Sequence, residues 1–226
     1  MFNIKKIGNF IGIFLLFYLS SLIYLIPLGI FKISYNSLTI FEQSVLMLCS
    51  NLFVATILYV IYSDYLEEKF KDFKKNFGKY TDIAIKSWVI GLIIMFVCNA
   101  LIVKFSPSKE AINEQNVQQI IQNTPLMAFI MTSIFAPFNE EMIFRKALKD
   151  TTNDNMIYIL LSALIFGYLH VTNSNSLYDF LYIIPYGALG AAFAYISVKT
   201  DNVYSSILVH FVHNSILTIF SIISLL

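Results

Sequence analysis

Apolar stretches of about twenty residues recur along the whole chain, and this feature constrains the fold more than any other. An α-helix of that length covers about 30 Å, which is the hydrocarbon thickness of a bilayer. Seven such stretches predict transmembrane helices, the fourth containing charged residues and the fifth being short. They lie at residues 8–31, 42–63, 85–104, 126–148, 156–171, 178–198 and 203–224.

The composition excludes most other classes of protein. Hydrophobic residues make up 58% of the 226 positions and charged residues 13%, against about 45–50% and about 25% in soluble domains. Disordered chains, secreted disulfide scaffolds and ordinary cytosolic enzymes do not have this composition. A net charge of +1 leaves no basic face for nucleic acid. Cys49 and Cys98 both lie in apolar stretches, so no disulfide framework is indicated. The predicted architecture is therefore one all-α, polytopic membrane domain over residues 1–226.

The distribution of lysine and arginine predicts the orientation of the chain. With a cytoplasmic N-terminus, 12 of the 15 basic residues face the cytoplasm, as the positive-inside rule expects. The first span follows Lys5 and Lys6 without a small-residue cleavage site, which predicts that it is retained and also targets the chain to the membrane. The three basic residues left on the outer side are Lys32, Lys104 and Lys109.

Two connections between the spans have distinctive sequences. Residues 64–82 are predicted to form a basic cytoplasmic loop that sets orientation and touches anionic lipid. Residues 105–125 carry apolar positions at near-helical spacing, which predicts an interfacial helix on the outer face. A role for this second segment as a substrate gate is the alternative.

The fourth span contains two adjacent carboxylates, and ionisable groups within a span indicate a functional site. Glu141 and Arg145 are four residues apart, so they share a helical face and can pair. Glu140 is rotated by about 100° and must face elsewhere, free to act as a base. An ordinary solvated helix end is the alternative for all three residues.

The three histidines lie in the fifth and seventh spans. His170 follows Phe166 by one turn, while His210 and Asn214 share a helical face and His213 lies beside it. Each group alone fits an interfacial tip or an interhelical hydrogen bond. Together with the carboxylates they predict convergence on one site that could hydrolyse an amide. Upright helices would leave His170 about 11 Å deeper than His210, so convergence requires tilt, an irregular fifth span or a deep cavity.

Small residues predict close helix packing at Gly167, Gly187, Gly190, Ala191 and Ala194.

Three ordered motifs carry a resemblance to a known family. Glu140-Glu141-x-x-x-Arg145, Phe166-x-x-x-His170 and His210-x-x-x-Asn214 resemble the CPBP intramembrane proteases, relatives of the type II CAAX prenyl endopeptidases. That group includes bacteriocin-processing and self-immunity proteins. The resemblance covers about residues 125–220, and it implies a catalytic core at 125–226 that follows N-terminal spans at 1–124. A bacterial plasma membrane location is also implied.

The resemblance also implies roles for individual residues. Glu140 corresponds to the general base that activates water, and His170 to its partner in that step. His210 and Asn214 match the positions that hold the oxyanion. Glu141, Arg145 and Phe166 correspond to supporting positions, and His213 has no assigned role. The implied substrate is a peptide or protein embedded in the membrane or close to it.

Several alternatives remain open at this point. No cofactor is expected, but Glu140, His170 and His210 could instead hold Zn²⁺. The same fold could serve as a non-catalytic membrane scaffold or a bacteriocin self-immunity protein. A proton-coupled transporter is disfavoured because no inverted repeat is visible. The oligomeric state is left open.

Overall fold

The computed structural model describes residues 2–105, 112–172 and 177–225, and these residues are helical almost throughout. Lys109, which the orientation argument uses, lies outside them. An isolated backbone bridge between Phe2 and Thr152 is the β-type pairing found in the described ranges. The chain is an all-α polytopic membrane protein, as predicted. Its helices are α1 (Ile4–Tyr18), α2 (Leu22–Ile30), α3 (Ile40–Ile61), α4 (Ser63–Lys75), α5 (Phe77–Phe105), α6 (Ile112–Asn123), α7 (residues 125–147), α8 (Asn155–Leu169), α9 (Ile183–Thr200) and α10 (Val203–Ile223).

Side-chain caps fix where several of these helices begin. Thr39 and Glu42 form a reciprocal capping box at the start of α3. Asp154 accepts hydrogen bonds from two main-chain amides at the start of α8, and Asn202 accepts one at the start of α10. Each cap satisfies amides that have no partner within the helix. The sharp turn between α9 and α10 places Asp201 in the left-handed region, with φ of 46°.

The predicted count of seven spans is not confirmed. Four described helices are long and apolar enough to cross a bilayer, or up to five if α1 and α2 form one bent span. These two helices meet at 52°. Residues 125–147 are broken into short α and π segments. Helix α8 has 15 residues, which is about 22 Å at 1.5 Å per residue and too short for the hydrocarbon layer.

The basic connection predicted as a loop is helical instead. Helix α4 covers most of it, and it buries Leu66 and Phe73 on one side. A spacing of seven residues places these two side chains on the same helical face. Most of the exposed positions of α4 are charged, so the segment is an amphipathic helix, which its net charge alone does not reveal.

Helix α9 packs against both α5 and α8, and small residues make this close approach possible. A Cβ atom at Gly167 would lie 2.5 Å from the main-chain oxygen of Ile183. At Gly190 a Cβ atom would lie 3.0 Å from the Cβ of Phe166. The predicted close packing at these glycines is confirmed, and it holds α8 and its C-terminal residues against α9.

Candidate active site

Helix α7 carries both carboxylates, and it departs from regular α-helical geometry on either side of them. Residues Ala136–Glu141 are α-helical, whereas Ile130–Phe135 before them and Met142–Ala147 after them are π-helical. A π-helix pairs each amide with the carbonyl five residues back, and such segments occur often at functional sites.

Glu141 contacts both Arg145 and His210 inside the protein. Its Oε2 lies 2.9 Å from Arg145 Nε, and both side chains are fully buried. Its Oε1 lies 2.9 Å from His210 Nδ1. The predicted pairing of Glu141 with Arg145 is therefore confirmed. Because a carboxylate only accepts hydrogen bonds, His210 Nδ1 carries the proton and donates it.

Arg145 is further enclosed by a hydroxyl and by aromatic rings. Its guanidinium donates to Ser162 Oγ. It lies over the rings of Phe144, Phe166 and Phe193 at 5.3–5.8 Å from their centroids. Cation–π contacts of this kind are stronger in a desolvated site. A buried charge is expensive unless it is paired in this way, so Arg145 and Glu141 are structurally interdependent.

Glu140 points in another direction, into a cavity of about 220 Å³. Its Oε2 lies 3.9 Å from His210 Nε2, which is too long for a hydrogen bond. That oxygen is buried and accepts no hydrogen bond from any residue that the structure describes. Two adjacent residues of the same type therefore have different environments.

His170 caps the C-terminus of α8 and lines the same cavity. Its Nδ1 lies 2.8 Å from the carbonyl oxygen of Phe166. Since a carbonyl is an acceptor, Nδ1 donates and Nε2 carries a lone pair when the ring is neutral. The imidazole is stacked on Tyr186 at 4.3 Å between ring centroids. These contacts fix both the ring orientation and its tautomer.

The ring of Phe166 connects the two histidines. Its centroid lies 4.6 Å from that of His170 and 5.9 Å from that of His210. His210 in turn is stacked on Phe193 at 4.8 Å. The depth difference predicted for upright helices therefore does not keep the histidines apart, because the cavity is lined by both.

Asn214 is positioned by the first π-helical segment. Its Nδ2 donates to the carbonyl oxygen of Thr132 at 2.7 Å. The hydroxyl of Thr132 also lies 2.9 Å from that of Thr218. The amide of Asn214 has a second N–H and lines the cavity. Glu140, His170, His210 and Asn214 thus surround one space, and their catalytic roles stay predictions.

Other cavity residues were given no role from the sequence, His213 among them. His213 is buried beside Trp88, with ring centroids 6.3 Å apart. Tyr186 and Thr132 belong to no recognisable motif. Helix α6 also contributes to the wall of the cavity. The sequence signal for this helix was the near-helical spacing of apolar positions within residues 105–125. The cavity residues from α6 are Asn113, Glu114, Val117 and Ile121.

Among the described residues, no group of three or more His, Cys, Asp or Glu is arranged to hold a metal ion. Glu140, His170 and His210, the zinc set considered from the sequence, do not form such a group, and the expectation that no cofactor is needed stays a prediction.

Residues 122–216 match the family model described as "Type II CAAX prenyl endopeptidase Rce1-like". This confirms the resemblance seen in the motifs. The matched segment contains Glu140, His170, His210 and Asn214, together with the ion-paired Glu141 and Arg145 of the buried cluster. Among similar proteins, the "Putative membrane peptidase YdiL" of Bacillus subtilis is 34% identical over 119 residues, which are 51% of this chain and 45% of that protein.

Two further relatives have no activity in their names. The "UPF0177 protein YxdF" of Lactococcus lactis is 22% identical over 143 residues, or 60% of this chain and 77% of that protein. An "Uncharacterized protein" of Mycoplasma capricolum is 28% identical over 156 residues, which are 63% of this chain and 46% of that protein. The matches to YdiL and to the Mycoplasma protein thus cover less than half of those proteins. No solved structure matches the chain.

Proposed function

We propose that this protein is an intramembrane endopeptidase that hydrolyses a peptide bond of a membrane-associated peptide or protein. One observation carries the proposal. The buried oxygen of Glu140 has no hydrogen-bond partner among the described residues, and it faces a cavity shared with His170, His210 and Asn214. The similarity to a CAAX protease family supports the reaction class.

The hydrogen bonds within the site support a scheme in which Glu140 and His170 accept hydrogen bonds and His210 and Asn214 donate them. The water that attacks the substrate donates to Glu140 Oε2 and to the lone pair of His170 Nε2. Its proton passes to Glu140 while the hydroxide adds to the carbonyl carbon. The resulting oxyanion accepts from the second amide N–H of Asn214 and from His210 Nε2 in its protonated form. When the C–N bond breaks, Glu140 returns the proton to the leaving amine.

In this scheme His210 donates from Nε2 as well as from Nδ1, so it takes part as an imidazolium. Glu140 and Glu141 contribute two negative charges, and Arg145 contributes one positive charge. An imidazolium at His210 makes the cluster neutral, with its Nδ1 proton on Glu141 and its Nε2 proton facing the cavity. Neutrality favours the cluster at low dielectric, where unbalanced charge is costly.

The test compares wild-type protein with Glu140→Gln, both reconstituted in liposomes with a library of membrane-spanning peptides. Cleavage products are identified by mass spectrometry. We expect the substitution to abolish cleavage while leaving membrane insertion and thermal unfolding unchanged. Glu67→Gln is the matched control, because Glu67 forms an exposed pair with Lys71 on α4, far in sequence from the site.

A chelator arm and a metal determination on the same samples separate the mechanisms. Cleavage that survives chelation in metal-free protein supports the glutamate mechanism. Cleavage that is lost on chelation and restored by Zn²⁺ would overturn it. Equal cleavage by wild type and Glu140→Gln would refute the role of Glu140. A wild-type protein that cleaves none of the peptides, yet protects cells in an immunity assay, would favour the scaffold alternative.

A further inference from the structure

A second cavity, of about 480 Å³, lies at the helix ends that are predicted to face the cytoplasm. We call it the lysine pocket, because four lysines from separate parts of the chain line it. Lys6 comes from α1, Lys69 from α4, Lys146 from α7 and Lys149 from the turn that follows α7. It is separate from the cavity that holds Glu140 and the histidines.

The carboxylates of the pocket do not neutralise all of its lysines. Asp201 is shared, with Lys69 Nζ at 2.9 Å and Lys149 Nζ at 3.2 Å. Lys146 pairs with Asp150 at 2.9 Å, and Lys6 has no ion pair among the described residues. The remaining acidic residue of the lining is Glu68, whose side chain is 75% exposed and 3.8 Å from Lys69. Arg145 also borders the pocket, but its charge is paired with Glu141. One positive charge is therefore left over.

Three of the ammonium groups are held in place before any ligand arrives. The side chains of Lys69, Lys146 and Lys149 are only 15%, 19% and 24% exposed. Lys146 Nζ lies 4.3 Å from the centroid of the Tyr65 ring. A cation fixed in this way loses less conformational entropy when it binds an anion.

Exposed apolar side chains lie beside the pocket. Phe2 is 48% exposed and Ile4 is 86% exposed, close in sequence to Lys6. A main-chain hydrogen bond of 2.9 Å from Asn3 to Thr151 holds this segment against the pocket wall. Anionic headgroups bind to basic pockets between membrane helices, and an acyl chain could contact the neighbouring apolar residues.

We propose that the lysine pocket binds the phosphate of an anionic membrane lipid. The phosphate lies among the four ammonium groups, and the excess positive charge selects anionic over zwitterionic headgroups. Lys6 is the residue whose charge is free to be used in this contact. The proposal does not depend on the peptidase activity.

The experiment measures thermal unfolding of the purified full chain in neutral detergent. Short-chain phosphatidylglycerol, short-chain phosphatidylcholine and inorganic phosphate are titrated separately. We expect phosphatidylglycerol to raise the unfolding temperature saturably and phosphatidylcholine to leave it unchanged. A rise with inorganic phosphate equal to that with phosphatidylglycerol would identify a free-phosphate site and overturn the assignment to lipid.

Two adjacent lysines provide the matched variants. Lys6→Gln removes a pocket charge that has no ion pair, and we expect about fivefold weaker binding of phosphatidylglycerol. Lys5→Gln removes the same charge from an exposed position outside the pocket and should leave binding unchanged. The proposal is overturned if both variants weaken binding equally, because the effect would then be general surface charge. Lys149→Gln is a second pocket variant, which should also weaken binding.

Discussion

Replacement of Gly167 by alanine tests whether the contact between α8 and α9 positions the site. The added Cβ would lie 2.5 Å from the main-chain oxygen of Ile183 and 3.1 Å from the nitrogen of Gly187. Ordinary contact begins at 3.4 Å, so the helices must separate by about 0.9 Å at this point. Neither atom belongs to a side chain that could rotate away.

The energetic effect follows from two opposing contributions. Overpacking of a tight site costs about 1–3 kcal/mol, and contact with main-chain atoms favours the upper end of that range. Alanine gains about 1 kcal/mol over glycine in helix propensity. We therefore expect a net loss of about 2 kcal/mol in the free energy of unfolding. Thermal unfolding in detergent measures it as a lower unfolding temperature.

Gly12→Ala on α1 is the matched control, because nothing lies within 4 Å of a Cβ added there. It should leave stability unchanged or raise it by up to about 1 kcal/mol. Truncating Ile183 to alanine in the Gly167→Ala background should not restore stability, since the nearest obstacle is the carbonyl oxygen. If Gly167→Ala unfolds at the same temperature as Gly12→Ala, the packing argument is wrong.

The same substitution should affect catalysis more strongly than stability. His170 follows Gly167 by three residues, so a shift of about 1 Å in α8 moves the imidazole by a similar amount. If His170 takes part in the proposed reaction, a displacement of that size costs about 100-fold in rate. Cleavage of the peptide library at a temperature where the variant is folded measures this effect. Full activity in a folded, destabilised variant would show that His170 does not depend on this contact.

Three further predictions concern other parts of the molecule. Arg145→Met should lower the free energy of unfolding by about 3–5 kcal/mol, since Glu141 loses its buried cation; adding Glu141→Gln should recover part of that loss in thermal unfolding. The hydrogen bond from Asn202 holds the pKa of Asp72 below its ordinary value. Its stabilisation is therefore present above about pH 4 and is lost as the pH falls through the lowered pKa; Asp72→Asn should flatten the acid limb of a stability–pH profile, and an unchanged limb would contradict this. Asn214→Ala should reduce cleavage by about 100- to 1,000-fold without changing membrane insertion, and retained cleavage would exclude Asn214 as an oxyanion donor.

Helical periodicity was sufficient to predict the local pairs of the site. Glu141 and Arg145 are four residues apart, and so are His210 and Asn214, so each pair shares a face in any helix close to α geometry. The interruptions in α7 do not disturb the first pair, whose side chains lie 2.9 Å apart. Small residues likewise indicated close packing, because a helix without a bulky side chain at one position allows a neighbouring helix to approach there.

Long-range features could not be predicted from the same rules. Each π-helical turn adds about one residue to the turn, which rotates the following side chains by about 100° relative to a regular helix. The use of the Thr132 carbonyl by Asn214 depends on such a segment, and hydropathy contains no signal for it. The bend between α1 and α2 and the broken geometry of α7 were equally inaccessible, and the count of spans depends on both. The contribution of α6 to the cavity wall depends on tertiary packing, and the apolar periodicity of this 12-residue helix does not specify which neighbours it packs against.

Adjacent carboxylates at low dielectric repel one another unless cations offset their charge. The surroundings of Glu140 and Glu141 show which groups offset the charge of this pair. Arg145 and the Nδ1 proton of His210 both bind Glu141. The Oε2 atom of Glu140 accepts no hydrogen bond from the described residues, lies 3.9 Å from His210 Nε2 and faces the cavity. The hydrogen bond between His210 Nδ1 and Glu141 fixes the orientation of the imidazole, and with it the position of Nε2 beside Glu140. Glu141 therefore orients a residue of the cavity although it does not line the cavity itself. The contacts of Glu141 with the histidine and the arginine agree with the supporting position that the family resemblance implies, and the role of Glu140 as the base stays a prediction.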